Sequence, residues 1–173
     1  MSGLMKVVMV VAPKNFQESE YMISRNVFLD NNVQVTTAST FKGELIGMMG
    51  MMINSDITIA DINANDYDGI VLVGGSGATV YFNNFVIFDV IRSFNKLERA
   101  IGAICIAPSI LANCGVLSGK KVTSFPSEKA NLERNGAEYV DQGVVVSGNI
   151  VTGNGPRVVR EFATKLIGLI NAE

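Results

Sequence analysis

Two stretches of the chain leave no polar face. Lys6-Val7-Val8-Met9-Val10-Val11-Ala12 and Gly69-Ile70-Val71-Leu72-Val73 are almost continuously apolar and rich in β-branched residues. A strand with one wet face alternates polar and apolar residues, whereas a strand buried on both faces does not. Both runs therefore predict the interior of a sheet covered on its two sides. Val33–Ala38 and Ala100–Ile104 read as further strands, and residues 43–59, punctuated by Gly47 and Gly50, as a β excursion. Helical spacing marks residues 19–31, with Ile23, Val27 and Phe28 on one face, residues 84–97, and a closing run of Val159, Phe162, Ala163, Leu166, Ile167 and Ile170 that Gly155-Pro156 opens. Strands alternating with helices imply a mostly parallel sheet. Met1–Val7 lacks a basic n-region and a cleavage site, so it reads as the approach to the first strand. With no repeat and no linker, residues 1–173 are expected to form one α/β domain.

Composition narrows the function more than the fold. The 48% hydrophobic content over 173 residues supports a sizeable core and excludes disorder. Fourteen Lys and Arg against sixteen Asp and Glu give a net charge of −2, too little basic field for nucleic acid or an anionic membrane. No 18-residue apolar run is present, so no spanning helix and a soluble cytoplasmic protein are expected. The chain has no histidine at all. That removes every Ser-His or Cys-His catalytic pair and any metal site that needs imidazole. Two cysteines, Cys105 and Cys114, are too few for a disulfide framework.

The stretch Ile101-Gly102-Ala103-Ile104-Cys105-Ile106-Ala107-Pro108-Ser109 carries the most chemistry. Pro108 is tolerated only in the first turn of a helix, so a buried strand ends at Cys105 and a helix begins just beyond it. Ligand sites of open α/β sheets lie at that carboxyl edge. Helix N-terminal N–H groups there are expected to favour a thiolate. The alternative is that Cys105 is one more small buried hydrophobe. Cys114, about 13 Å further along a helix, lies too far away for a disulfide and reads as core. Gly74-Gly75 closes a neighbouring strand at the same edge, and an N–H there can join that of Ile106 in holding an oxyanion; a plain tight turn accounts for these glycines as well. Glu18 and Glu20 begin the first helix, where acidic residues complement the helix dipole. One of them can also face Cys105, and its pKa is then expected to rise. Gly74-Gly75-Ser76-Gly77 is not a dinucleotide fingerprint, and Gly115–Lys121 is one residue short of a phosphate loop, so no cofactor is expected. Met48-Met49-Gly50-Met51-Met52, without further metal ligands, reads as a flexible packing or subunit-contact surface.

Taken together, these residues resemble the ThiJ/PfpI superfamily, whose members include a protein deglycase and PfpI-type intracellular peptidases. The resemblance rests on Phe16-Gln17-Glu18-Ser19-Glu20, Ile70–Gly75, the elbow Ala103–Pro108, Val122–Pro126 and Gly153–Pro156. It implies a flavodoxin-like three-layer sandwich, with Cys105 as nucleophile, Glu20 as its hydrogen-bonding carboxylate, and the N–H groups of Gly75 and Ile106 as donors. Gly74, Glu18, Phe125 and Asn154 then fall around the pocket. Peptidase-like members carry His where this chain has Ile106. The deglycase carries His at the position of Phe125 and Arg at that of Asn154. With both histidines gone, the resemblance favours work on small reactive carbonyls, or redox sensing through Cys105, over peptide hydrolysis. It also implies a homodimer or higher homo-oligomer, no cofactor and no metal, with a small carbonyl compound or an oxidant as the partner.

Overall fold

The structure is a computed structural model that describes residues 3–172; Met1, Ser2 and Glu173, which the sequence places in the domain, lie outside the described residues. In chain order the first half forms β1 (Lys6–Val10), β2 (Lys14–Phe16), α1 (Glu18–Asp30), β3 (Gln34–Ser39), β4 (Gly43–Gly47), β5 (Met52–Ser55), β6 (Ile57–Thr58) and β7 (Gly69–Leu72). The second half forms α2 (Phe85–Lys96), β8 (Ala100–Ile104), α3 (Pro108–Asn113), β9 (Lys121–Val122), α4 (Lys129–Arg134), β10 (Glu138–Tyr139), β11 (Val144–Ser147), β12 (Ile150–Gly153) and α5 (Val159–Asn171).

Seven strands build the main sheet in the order β11-β12-β8-β7-β1-β3-β6, and every pair in it is parallel except β11 with β12. When β1, β3, β7, β8 and β12 are counted in chain order, they lie 2-1-3-4-5, the doubly wound arrangement of flavodoxin-like folds. The winding reverses between β1 and β7, and ligands in such sheets sit beyond the carboxyl ends of the strands.

The apolar runs are divided between the two faces by strand pleating. Val8 and Val10 of β1 join Ile87, Ile91 and Phe94 of α2, Ile110 and Leu111 of α3, and Leu132 of α4. Val7 and Met9 join Phe28 of α1 and Phe162 and Leu166 of α5 on the other face. A run with no polar side is thus what the three layers require. The caps follow local chemistry: Asn84 Oδ1 accepts from the Ile87 N–H at 3.0 Å to start α2, and Gln17 Oε1 accepts from the Glu20 N–H at 2.8 Å to start α1.

Two local readings change. The first strand ends at Val10, short of the Ala12 that the apolar run reaches, and directly after Pro13 the chain forms β2, which pairs with β4 in a separate three-stranded sheet with β5. Three residues are too few for a periodicity to show. Gly155-Pro156 opens a single 3-10 turn, Pro156–Val158, and α5 begins only at Val159.

Candidate active site

Three chain segments meet above the carboxyl ends of β1, β7 and β8. Cys105 follows β8 directly and holds φ 64, a left-handed conformation unusual for a residue with a side chain. Its backbone is fixed from both sides: its N–H donates to the Gly153 carbonyl at 3.0 Å, and its carbonyl accepts from the Phe125 N–H at 2.7 Å. Pro108 begins α3 at the expected place. The turn therefore aims the thiol back over the sheet edge, with 9% of the residue exposed.

Glu20, in the first turn of α1, is 1% exposed. Its Oε1 accepts from the Gly74 N–H at 2.9 Å, whereas Oε2 is buried with no hydrogen-bond partner of ordinary geometry. The carboxyl nevertheless lies near enough to Cys105 for each group to move the other's titration. Only glycine fits at 74: a Cβ there would stand 2.5 Å from both the Cys105 Cβ and Glu20 Oε1. Gly75 turns at φ +100 and lies against the backbone of residues 15–17. The Gln17 N–H donates to the Gly74 carbonyl at 2.9 Å and locks this approach.

Burial pushes the Glu20 carboxyl from 4.5 up to about 8, against the opposing hydrogen bond from Gly74. At neutral pH it is mostly protonated, the direction that the sequence predicts, with desolvation rather than a thiolate as the main cause. Cys105 departs from expectation. Burial first, and the charge of an ionised Glu20 second, raise its thiol from 9.0 to about 11. The backbone N–H groups of Gly75 and Ile106 donate to the sulfur and pull the other way. Desolvation outweighs the polar groups at the start of the six-residue α3. The first proton lost, near pH 8, belongs to the Cys105–Glu20 pair.

A cleft of about 450 Å³ opens over the thiol. Met48, Met49, Ile106, Phe125 and Pro156 supply its apolar wall, and Gln17, Glu18, Gly75, Ser76 and Ser127 complete it. Glu18 does not face the sulfur as a proton carrier. Its two oxygens accept from the N–H groups of Met49 and Met51, at 2.5 and 2.9 Å, and so hold the tip of the β4–β5 hairpin at the cleft mouth. Asn154 stands apart, in a neighbouring depression with Phe125, Pro126, Gly155, Pro156 and Arg157. Cys114 is buried on the opposite face of the sheet and caps α3, and both cysteines are free. The methionine run is the part of the site that sequence reasoning missed. Its exposed thioethers were legible as surface, but nothing in the spacing tied them to Glu18. Among the described residues no group of three or more His, Cys, Asp or Glu is placed to hold a metal, and no helix is long and apolar enough to cross a membrane.

An elbow cysteine beside a buried carboxyl, at the carboxyl edge of a doubly wound sheet, defines a class of α/β proteins with a thiol-centred site. The chain belongs to the DJ-1/PfpI family, whose sequence model matches residues 5–169. It is 40% identical to an uncharacterised protein of Methanocaldococcus jannaschii over 95% of this chain and 82% of that one. The crystal structure of Drosophila melanogaster DJ-1beta superposes with a TM-score of 0.89 at 33% identity, covering 100% of this chain and 92% of the other. A ThiJ/PfpI domain protein from Brachyspira murdochii superposes at 0.95 with 29% identity and 99% coverage of both. Relatives named as a glutathione-independent glyoxalase in Caenorhabditis elegans and a deglycase in Pyrococcus horikoshii are 26% and 29% identical over 96% of this chain, covering 89% and 99% of theirs.

Proposed function

We propose that this protein is a cofactor-independent enzyme for small reactive carbonyls, of the glyoxalase or deglycase type, with Cys105 as nucleophile and Glu20 as proton carrier. One arrangement carries the reading: the Cys105 thiol on its left-handed elbow lies against the buried Glu20 carboxyl, with the backbone N–H groups of Gly75 and Ile106 beside the sulfur. The names of the glyoxalase and deglycase relatives support it.

On an α-oxoaldehyde the ionised Glu20 takes the Cys105 proton as the sulfur adds to the aldehyde carbon, and the carbonyl electron pair moves onto oxygen. The N–H groups of Gly75 and Ile106 receive that oxyanion, and the proton held by Glu20 passes to it to give a hemithioacetal, leaving Glu20 ionised again. Glu20, in its ionised form, then removes the hydrogen from the former aldehyde carbon and returns a proton to the adjacent carbon. The hemithioacetal becomes the thioester of a 2-hydroxy acid. Water cleaves the thioester, freeing the acid and the thiol. One carbon is oxidised and its neighbour reduced, so the balance needs water alone. At pH 7 about a tenth of Glu20 is ionised, given its pKa of about 8, close to what a general base requires. Peptide hydrolysis fits less well, because no histidine is available to protonate an amine leaving group.

The test is lactate formation from methylglyoxal at neutral pH without glutathione. Turnover is expected in the wild type, lost in Cys105→Ser, and within about twofold of wild type in Cys114→Ser. Activity that survives Cys105→Ser, or is missing from the wild type, overturns the reading. The unpartnered Glu20 Oε2 beside the thiol favours a second reading, redox sensing. Two equivalents of peroxide convert the thiol to a sulfinic acid and two waters, and neutral Glu20 donates to a new oxygen. Mass spectrometry of peroxide-treated protein then finds two added oxygens on Cys105 and none on Cys114.

A further inference from the structure

We infer that the cleft selects uncharged substrates with an apolar tail, and that α-oxoaldehydes bearing a branched alkyl or aryl group are used in preference to methylglyoxal. The inference rests on the reading just proposed and adds to it the part of the substrate away from the reacting carbon.

Met48, Met49, Ile106, Phe125 and Pro156 supply apolar surface, with Met49 89% and Phe125 45% exposed. Of the polar side chains in the lining, Glu18, Ser127 and the Gln17 amide oxygen are engaged within the protein, which leaves the Ser76 hydroxyl and the Gln17 amide nitrogen as the polar groups still open. Gln17 Oε1 accepts from the Glu20 N–H and from the Ser19 hydroxyl at 2.7 Å. Both Glu18 oxygens hold the hairpin tip. The Ser127 hydroxyl donates to Glu128 Oε2 at 2.6 Å. The backbone N–H groups of Gly75 and Ile106 lie at the thiol, on the cleft floor. A carbonyl therefore finds its partners at the cleft floor, while a substituent reaching toward the mouth meets thioethers, an isoleucine, a phenyl ring and a proline. The one charged residue lining the cleft is Glu18, so an anionic substituent gains no cation there. Methionine suits such a wall, since its unbranched, polarisable side chain adapts to tails of different shape. A methyl group covers little of this surface. An aryl group covers much more, and each buried methylene-sized increment is worth roughly 0.8 kcal/mol, about a fourfold change in affinity.

The experiment compares kcat/KM for phenylglyoxal and methylglyoxal in the wild type and in the doubly substituted Met48→Gln, Met49→Gln protein. Intrinsic electrophilicity is the same for both proteins and cancels in the comparison. The phenyl-to-methyl ratio is expected to reach about tenfold or more in the wild type. It should fall at least fivefold in the variant, mainly through KM. An unchanged ratio overturns the inference. If neither compound is turned over, the carbonyl reading fails, and the cleft is read through the thiol instead. N-phenylmaleimide and N-methylmaleimide are reacted with Cys105, and the rate ratio is set against that for glutathione. A phenyl preference above the glutathione ratio, reduced in the variant, sustains tail selection without the carbonyl chemistry. A ratio equal to that of glutathione, or no labelling by either reagent, overturns it.

Discussion

At the scale of single residues, the site depends on one proton held between two groups. Burial raises Glu20 to about 8, and burial together with the charge of an ionised Glu20 raises Cys105 to about 11. Glu20→Gln keeps an oxygen to accept the Gly74 N–H but can never carry the charge. The Cys105 titration, followed through the pH dependence of iodoacetamide labelling, should therefore move to lower pH in the variant. Turnover of an α-oxoaldehyde should fall on the order of 100-fold or more in the same protein. A labelling midpoint that stays put would show that the carboxyl does not face the thiol. The elbow was the most legible part of the site, because Pro108 fixes where α3 must begin. The choice between Glu18 and Glu20 was not legible. Both stand in the first turn of α1, and only the fold puts one beside the sulfur and the other beside the hairpin.

Among the elements, the β4–β5 hairpin has the least obvious role. It belongs to a small sheet with β2, and its methionine tip reaches the cleft because Glu18 of α1 accepts two of its N–H groups. Glu18→Ala removes both acceptors. Amide exchange at Met49 and Met51 should accelerate by an order of magnitude or more, while β7 amides remain protected, and overall stability should fall by about 1 kcal/mol. Unchanged exchange at those two amides would mean the tip is held by the strands alone. Strand and helix positions were readable where the apolar pattern runs long, as in β1, β7 and α5. They were unreadable where an element has only three residues, too few for its pattern to repeat, as in β2 and the 3-10 turn at Pro156–Val158.

For the whole molecule, a sheet covered on both faces was legible in two runs with no polar face, whereas its strand order was not, and the assembled fold now makes stability depend on pH. The native state keeps a proton on Glu20 up to about pH 8 that an unfolded chain releases near 4.5. The stability this lends is fully present below pH 4.5 and is lost as pH rises to 8, at no more than about 1.4 kcal/mol per unit. Denaturant unfolding across that window should show the decline in the wild type, and a shallower one in Glu20→Gln. Equal slopes in the two proteins would assign the dependence to other groups. A different consequence follows from the left-handed backbone at Cys105. The fold imposes that conformation through hydrogen bonds to Gly153 and Phe125, whatever side chain occupies the position. Glycine adopts it freely and alanine does not, so Cys105→Gly should be more stable than Cys105→Ala by about 1 kcal/mol, the reverse of the order found in ordinary helices and strands. Selection for folding and selection for reactivity therefore pull this one codon in opposite directions. A mutant library screened only for folded protein should drift toward glycine at position 105, whereas one screened for thiol chemistry must retain the strained cysteine.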